Sequence, residues 1–320
     1  MNFSKKNILV LTDGSQGMKS QVLGLAKEFS SNISSIETKL LFPWSKIQPG
    51  IIPFFSWVFL NKLKLDIIPD IIISCGRKST YLSIYFKKRY SKTITIHIQN
   101  PKINFKKFNY IIAPQHDNIE GENVLTSVGA LHKFSKNIFK KNFDEDFDIP
   151  KKNLVSIVIG GSNHHYNFSI KEINQLCLKI TIIKKLNPKF NILILFSRRT
   201  SDDMKFLLSK NLKNISIIQN EKHKNPYSFA LKYSDLFIVT SDSTSMISEC
   251  AFTGKPIYVF HLPFKRKSKR IENFHKQFEE LNITKKISNK NDLIPWIYKT
   301  LNESERIASI LRKRIIKENS

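Results

Sequence analysis

Short β-branched runs alternating with amphipathic helical stretches constrain this chain more than any other feature. Asn7 to Thr12 reads as a buried strand that ends in Asp13-Gly14-Ser15-Gln16-Gly17. A helix follows, with Val22, Leu25, Ala26 and Phe29 on one face. Ile36, Thr38 and Leu40 alternate as a second strand. Ile71 to Cys75 makes a third, leading into Gly76-Arg77-Lys78-Ser79 and a helix to about Tyr90. Thr93 to Gln99 alternates again, and Tyr110 to Ala113 is short and apolar. Strands separated by helices in this way are the mark of a doubly wound parallel sheet.

The pattern breaks between Ser135 and Asn153, where Phe139 to Asp146 is charged and aperiodic and Pro150 follows. It then restarts. Leu154 to Ile159 runs into Gly160-Gly161-Ser162-Asn163, Ile170 to Leu186 is helical, and Asn191 to Phe196 ends in Ser197-Arg198-Arg199-Thr200. Ile215 to Ile218, Leu236 to Thr240 and Ile257 to Phe260 are further strands, and Glu303 to Lys317 is a basic terminal helix. The same architecture is used twice without a repeat in sequence. The expected domains are residues 1–145 and 146–320, each Rossmann-like, with the last helix returning toward the first.

Composition narrows the class. With 320 residues, 41% of them hydrophobic, the chain can bury two cores and is not globally disordered. Cys75, Cys177 and Cys250 are scattered and form no C-x-x-C pair, which suits a reducing compartment and argues against a disulfide framework or a zinc site. The apolar stretch after Lys5-Lys6 is cut by Asp13, too soon for a signal-peptide core. Ile51 to Leu60 falls short of the roughly 18 residues that a membrane span needs. The expectation is a cytoplasmic chain, at most peripheral on the inner face of the membrane. Its net charge of +26 favours polyanionic surfaces, but the lysines are spread along the chain.

The stretch Asp235 to Phe260 carries the clearest chemistry. A buried strand gives way to Ser241-Asp242-Ser243-Thr244-Ser245, and a helix begins at about Ser245. Backbone N–H groups and hydroxyls then gather at a helix N-terminus on the carboxyl edge of a sheet, where phosphates bind. Plain N-capping would also favour Asp, Ser and Thr here. Four hydroxyl residues beside Asp242 exceed what a cap requires. Glu249, one turn in, is placed to accept two ribose hydroxyls, and Gly254 with Pro256 ends the helix.

The spacing Glu249-x4-Gly254-x-Pro256 resembles the donor-nucleotide segment of GT-B glycosyltransferases, including the bacterial enzyme that adds N-acetylglucosamine to the peptidoglycan lipid carrier. Gly160-Gly161-Ser162 resembles the glycine-rich turn of the same enzymes. A longer series is more specific: Asp13-Gly14 with Gly17 and Gln21, Ser74-Cys75-Gly76-Arg77, Gln99-Asn100-Pro101, Ala113-Pro114-Gln115-His116-Asp117 and Gly129-Ala130-Leu131-His132. Ser197 to Thr200, Asn225-Pro226-Tyr227 and Thr240 to Met246 continue it. The series resembles the "elongated mitochondria" (ELM) fission family, from about Leu11 to about Phe278. It departs at Ser15-Gln16, where a Lys-Pro-like pair is expected, and at Met18, where the family usually has His.

The resemblance implies a GT-B pair of Rossmann-like domains facing a central cleft, with a nucleoside-diphosphate sugar as substrate and no permanently bound cofactor. Plant members of the family resemble recruiters of fission machinery. Gly161, Ser243, Thr244 and Ser245 would hold the diphosphate, Glu249 the ribose, and Arg198 and Arg199 further negative charge, with Gly160, Ser162 and Asp242 also in the nucleotide-sugar site. Arginine is scarce beside lysine here, so Arg77, Arg198 and Arg199 just past strand ends suggest planar anion-binding forks. His116 with Asp117 is the candidate general base, Asp13 the alternative, and His132 a further neighbour. His164-His165 has no acidic or thiol partner at metal spacing.

Two basic or aromatic stretches remain. Pro53 to Phe59, flanked by Trp44, Lys46, Lys62 and Lys64, reads either as a core helix or as an interfacial segment near a lipid-linked acceptor. Lys265 to Arg270 is a basic cluster without a nucleic-acid-binding motif, so nucleic acid is not an expected partner. The functions these features point to are glycosyl transfer to a cell-envelope acceptor, 2-epimerisation of a nucleotide sugar on the same fold, or a non-catalytic adaptor. The Met18 departure favours the adaptor.

Overall fold

The computed structural model describes residues 2–47, 50–61, 63–143, 147–219, 225–287 and 293–318. The chain divides into two compact units, Met1–Ser135 with Asn302–Ser320, and Lys136–Leu301. The division falls ten residues before the boundary expected from sequence. Of the aperiodic stretch that suggested that boundary, residues 144–146 lie outside the described residues, as does Lys62.

In the first unit, β1 (Ile8–Thr12) leads through α1 (Gln16–Phe29) to β2 (Ile33–Glu37), and β3 (Ile71–Cys75) leads through α2 (Arg77–Arg89) to β4 (Ile94–Ile98). β5 (Tyr110–Pro114) and β6 (Val124–Ser127) complete a sheet of order β2-β1-β3-β4-β5-β6, parallel at every pairing. Alternation within β1 sorts its side chains. Ile8 and Val10 join α1 in one core, and Leu9 and Leu11 join Tyr81, Leu82 and Phe86 of α2 in another. With both faces covered, apolar residues at every position of the strand are what a parallel sheet requires.

β2 is the strand that sequence placed wrongly. The alternation Ile36, Thr38, Leu40 starts inside it, where Ile36 pairs with Leu11, and runs past its end, because Leu40 leaves the sheet to form an isolated antiparallel bridge with Phe59. The aromatic run Pro53 to Phe59 forms no α-helix either. It makes one 3-10 turn, Ser56–Val58, with Val58 and Phe59 buried and Phe55 and Trp57 exposed.

In the second unit, the short α3 (Asn137–Lys140) precedes β7 (Leu154–Ile159), α4 (Ile170–Leu186), β8 (Asn191–Phe196), α5 (Asp202–Leu212) and β9 (Ile217–Ile218). Then come α6 (Tyr227–Tyr233), β10 (Leu236–Thr240), α7 (Thr244–Ala251), β11 (Ile257–Phe260), α8 (Lys269–Glu280) and β12 (Thr284–Lys286). The sheet order is β12-β11-β10-β7-β8-β9, again all parallel. The chain steps outward from β7 to β9, then returns to place β10 on the other side of β7. That reversal makes the carboxyl ends of β7 and β10 the topological switch point, where open α/β sheets bind ligands.

The terminal helix α9 (Glu303–Glu318) belongs to the first unit. Its Ile307, Ala308, Leu311 and Ile315 are buried in the same core as Val22, Leu25 and Phe29 of α1. The Glu303 carboxylate accepts a hydrogen bond from Val128 N at 2.7 Å and is bridged by Arg306.

Candidate functional site

At the second unit's switch point, the turns after β7 and β10 are tied into one assembly. Gly160 N donates to Thr240 Oγ1 at 2.8 Å, and Thr240 Oγ1 donates to Asp242 Oδ1 at 2.6 Å. Asp242 Oδ2 accepts from Gly161 N at 3.2 Å and from the Arg199 guanidinium at 2.5 Å. Thr200 Oγ1 donates to Gly160 O at 2.7 Å, bringing in the turn after β8. The glycines are required by closeness of approach. A Cβ on Gly160 would stand 2.1 Å from both Asp242 carboxylate oxygens, and one on Gly161 would stand 2.0 Å from the Arg199 carbonyl oxygen.

This geometry settles how the charges are used. The Asp242 side chain is fully buried and Arg199 lies over it, so the Arg199 charge is matched within the protein. Arg198 is exposed, and among the described residues nothing pairs with it. It is the better placed of the two to meet an incoming anion.

α7 starts at Thr244, one residue earlier than expected, with Ser243 as its N-cap accepting from Met246 N. Thr244 and Ser245 are partly exposed at the helix start, where unpaired N–H groups and the helix dipole favour an anion. Ser241 and Ser162 serve the scaffold. Ser241 Oγ accepts from Leu262 N at 2.9 Å, and Ser162 Oγ accepts from Phe168 N at 2.9 Å. Glu249, on α7 and half-buried, accepts a hydrogen bond from the Tyr227 hydroxyl at 2.9 Å. Burial, then the Glu249 charge, pushes the Tyr227 hydroxyl well above its ordinary range, so it stays a donor.

The sequence reading gave no role to Thr240, Thr200, Tyr227 or His275, yet all four fix this region. Tyr227 stood in the Asn225-Pro226-Tyr227 motif, a usable signal. His275 gave none, because its place is visible only when α8 folds over the sheet edge. Its Nε2 lies 3.1 Å from Ser241 O and 3.3 Å from Tyr166 Oη, and burial pushes its pKa down to about 4. At neutral pH it is an uncharged imidazole.

The first unit has its own switch point, between β1 and β3. Asp13 stands there, but its carboxylate accepts from Lys78 N at 3.0 Å, Ser79 N at 2.9 Å and Ser79 Oγ at 2.8 Å. It caps the first turn of α2, which displaces the expectation of a free base. Gly76 takes a positive φ of 101°, and a Cβ there would strike Asp13 and Met18. Arg77 donates to Ser45 O at 2.7 Å and so holds the aromatic loop instead of standing open to an anion.

His116 and Asp117 lie in a 3-10 turn after β5, their side chains 2% and 5% exposed and their nearest charged atoms 3.9 Å apart. That distance is beyond a hydrogen bond, and both groups are withdrawn from solvent. His132 is buried against α9, its carbonyl accepting from Ser304 Oγ at 3.0 Å, and burial pushes its pKa to about 4.

A solved UDP-GlcNAc 2-epimerase from Neisseria meningitidis, bound to UDP-GlcNAc, shares the fold. Its TM-score is 0.51 at 14% identity, covering 98% of this chain and 100% of that one. The two Rossmann-like units are thus those of the GT-B fold. In sequence the chain is 27% identical to the uncharacterized protein RP120 of Rickettsia prowazekii, over 96% of this chain and 98% of that protein. It is 26% identical to the mitochondrial fission protein ELM1 of Arabidopsis thaliana, matching 77% of this chain and 64% of the plant protein's length. The family model described as mitochondrial fission ELM1 matches residues 16–315, and the chain belongs to that family.

Proposed function

We propose that the second unit binds a nucleoside-diphosphate sugar, with the diphosphate at the start of α7 and the ribose at Glu249. One observation carries the reading: the turns after β7 and β10 are hydrogen-bonded together beside the partly exposed N-terminus of α7, at the point where the strand order reverses. Thr244 and Ser245 add donors, and Arg198 adds charge that nothing among the described residues neutralises. Arg199, Asp242 and the two glycines build the floor. The Tyr227–Glu249 hydrogen bond holds the carboxylate in one orientation.

The reaction we assign is 2-epimerisation of a UDP-sugar, in preference to glycosyl transfer, because the similar fold from Neisseria belongs to such an epimerase. The acid–base groups of that reaction are not among those assigned above. A thermal-shift and calorimetry screen of UDP, UDP-GlcNAc, GDP and ADP tests the binding. Proton exchange at the sugar C2 of UDP-GlcNAc in deuterated water tests the chemistry. A stabilising shift with UDP compounds is expected. No binding by any of the four would overturn the site. Binding without C2 exchange would favour the second reading, a nucleotide-binding adaptor, which the capped Asp13 and the buried His116 and Asp117 support.

A further inference from the structure

The crossover between β2 and β3 presents an apolar face that the nucleotide site does not use. Leu40, Ile52, Val58 and Phe59 anchor it to the core formed by Leu9, Leu11, Tyr81 and Phe86. Residues 39–42 and 57–60 run side by side, with Leu41 N donating to Val58 O at 2.9 Å and Leu60 N to Lys39 O at 3.0 Å. Other side chains of the crossover face solvent: Phe42 is 76% exposed, Phe55 60%, Trp57 54% and Leu60 61%. Phe55 stacks on Trp57 with ring centroids 6.0 Å apart, and Trp57 meets Trp44 at 5.5 Å, so the outer face is continuous. The inner face already supplies the packing that folds the segment, and nothing in folding asks for a second apolar face toward water.

The charge around this face is of one sign. Lys39, Lys46 and Lys64 are exposed along the segment, and Asp66 is the one acidic residue among residues 39–68. Lys46 lies over the Phe42 ring at 5.9 Å, and Lys88 and Lys107 lie over Phe54 at 5.1 and 4.1 Å. Among the described residues none of these five lysines is in an ion pair. Aromatic rings with lysines at their edge suit the water–lipid boundary, where the rings enter the headgroup zone and the ammonium groups meet phosphates. Arg77 ties Ser45 of the same segment to the start of α2, so the face is held to the carboxyl edge of the first sheet.

We propose that this face docks the protein onto an anionic phospholipid bilayer, with Phe42, Phe55, Trp57 and Leu60 inserted at the interface and the lysines on the headgroups. The proposal stands apart from the nucleotide site and survives if that site fails. The test is sedimentation of the full chain with phosphatidylcholine vesicles, with and without 30% phosphatidylglycerol, at low and high salt. Expected are binding to the anionic vesicles alone, at least a tenfold loss of affinity from 0.05 to 0.5 M salt, and at least a tenfold loss in F55S/W57S. K39E/K46E/K64E should lose affinity by as much. Both variants should keep the wild-type circular dichroism and melting temperature. Should F55S/W57S unfold, Phe42→Ser, at the most exposed ring, carries the same expectation. Absence of wild-type binding, or equal binding by folded variants, would overturn the proposal. Wild-type self-association that F55S/W57S abolishes, without lipid binding, would make the face a contact between copies of this chain and overturn it equally.

Discussion

At the scale of single residues, the nucleotide reading rests on a contrast between groups that build the site and groups left over to meet a ligand. Gly160 builds. Alanine there must displace the Asp242 carboxylate, which holds Arg199, Thr240 and Gly161 at once. Gly160→Ala is therefore expected to destabilise the protein by about 1–3 kcal/mol, the range for overpacking a tight interior, as read by urea denaturation. Glu249 is of the other kind. A carboxylate that accepts ribose hydroxyls makes charge-assisted bonds of roughly 1.5–3 kcal/mol each. Glu249→Ala is expected to weaken UDP binding by about tenfold to a hundredfold, and to cost roughly 1–3 kcal/mol of stability because the Tyr227 hydroxyl loses that acceptor. Calorimetric titration of both proteins decides it, and equal affinities would leave Glu249 as no more than the partner of Tyr227.

At the scale of elements, α9 is the piece whose role sequence reading and structure describe most differently. Its helicity was legible in the period of Ile307, Leu311 and Ile315. That it completes the first unit's core was not, because the residues it covers on α1 lie nearly 300 positions earlier. Leu311→Ala should cost about 2–5 kcal/mol, as for any fully buried leucine. The loss should fall on the first unit, read as faster hydrogen exchange in β1 and α1 with the second unit's exchange unchanged. The strands of the second unit were read to the residue at Leu154–Ile159, Asn191–Phe196, Leu236–Thr240 and Ile257–Phe260. Central strands of a parallel sheet are apolar without interruption, so their ends are sharp. β2 and β12 were misplaced or missed because edge strands alternate weakly; Thr284–Lys286 carries two exposed lysines. Site residues followed the same divide. The glycines, Asp242 and Glu249 sit beside well-read strands. The fates of Asp13 and Arg77 depended on which backbone groups came near, Lys78 and Ser79 in one case and Ser45 in the other, and no local pattern encodes that.

At the scale of the whole molecule, each unit carries buried histidines that stay neutral. Burial pushes His97 down to about 3 and His132 to about 4 in the first unit, and His275 to about 4 in the second. His97 Nδ1 lies 2.8 Å from Ser74 Oγ. In the unfolded chain all three would titrate near 6.5. Above that pH both states are uncharged and these groups leave stability independent of pH. As pH falls from 6.5 toward 4, the unfolded chain takes up protons that the folded protein refuses, so stability rises with pH across this window and is lost on acidification. Each histidine contributes at most about 1.4 kcal/mol per pH unit. Urea denaturation at pH 7.5, 6.5, 5.5 and 4.5 should show a flat upper part and a steep fall below 6.5, in the signals of both units. A midpoint that stays constant down to pH 5 would mean that these imidazoles reach water in the folded protein, and would remove the reason for reading His275 as an uncharged neighbour of the nucleotide loop.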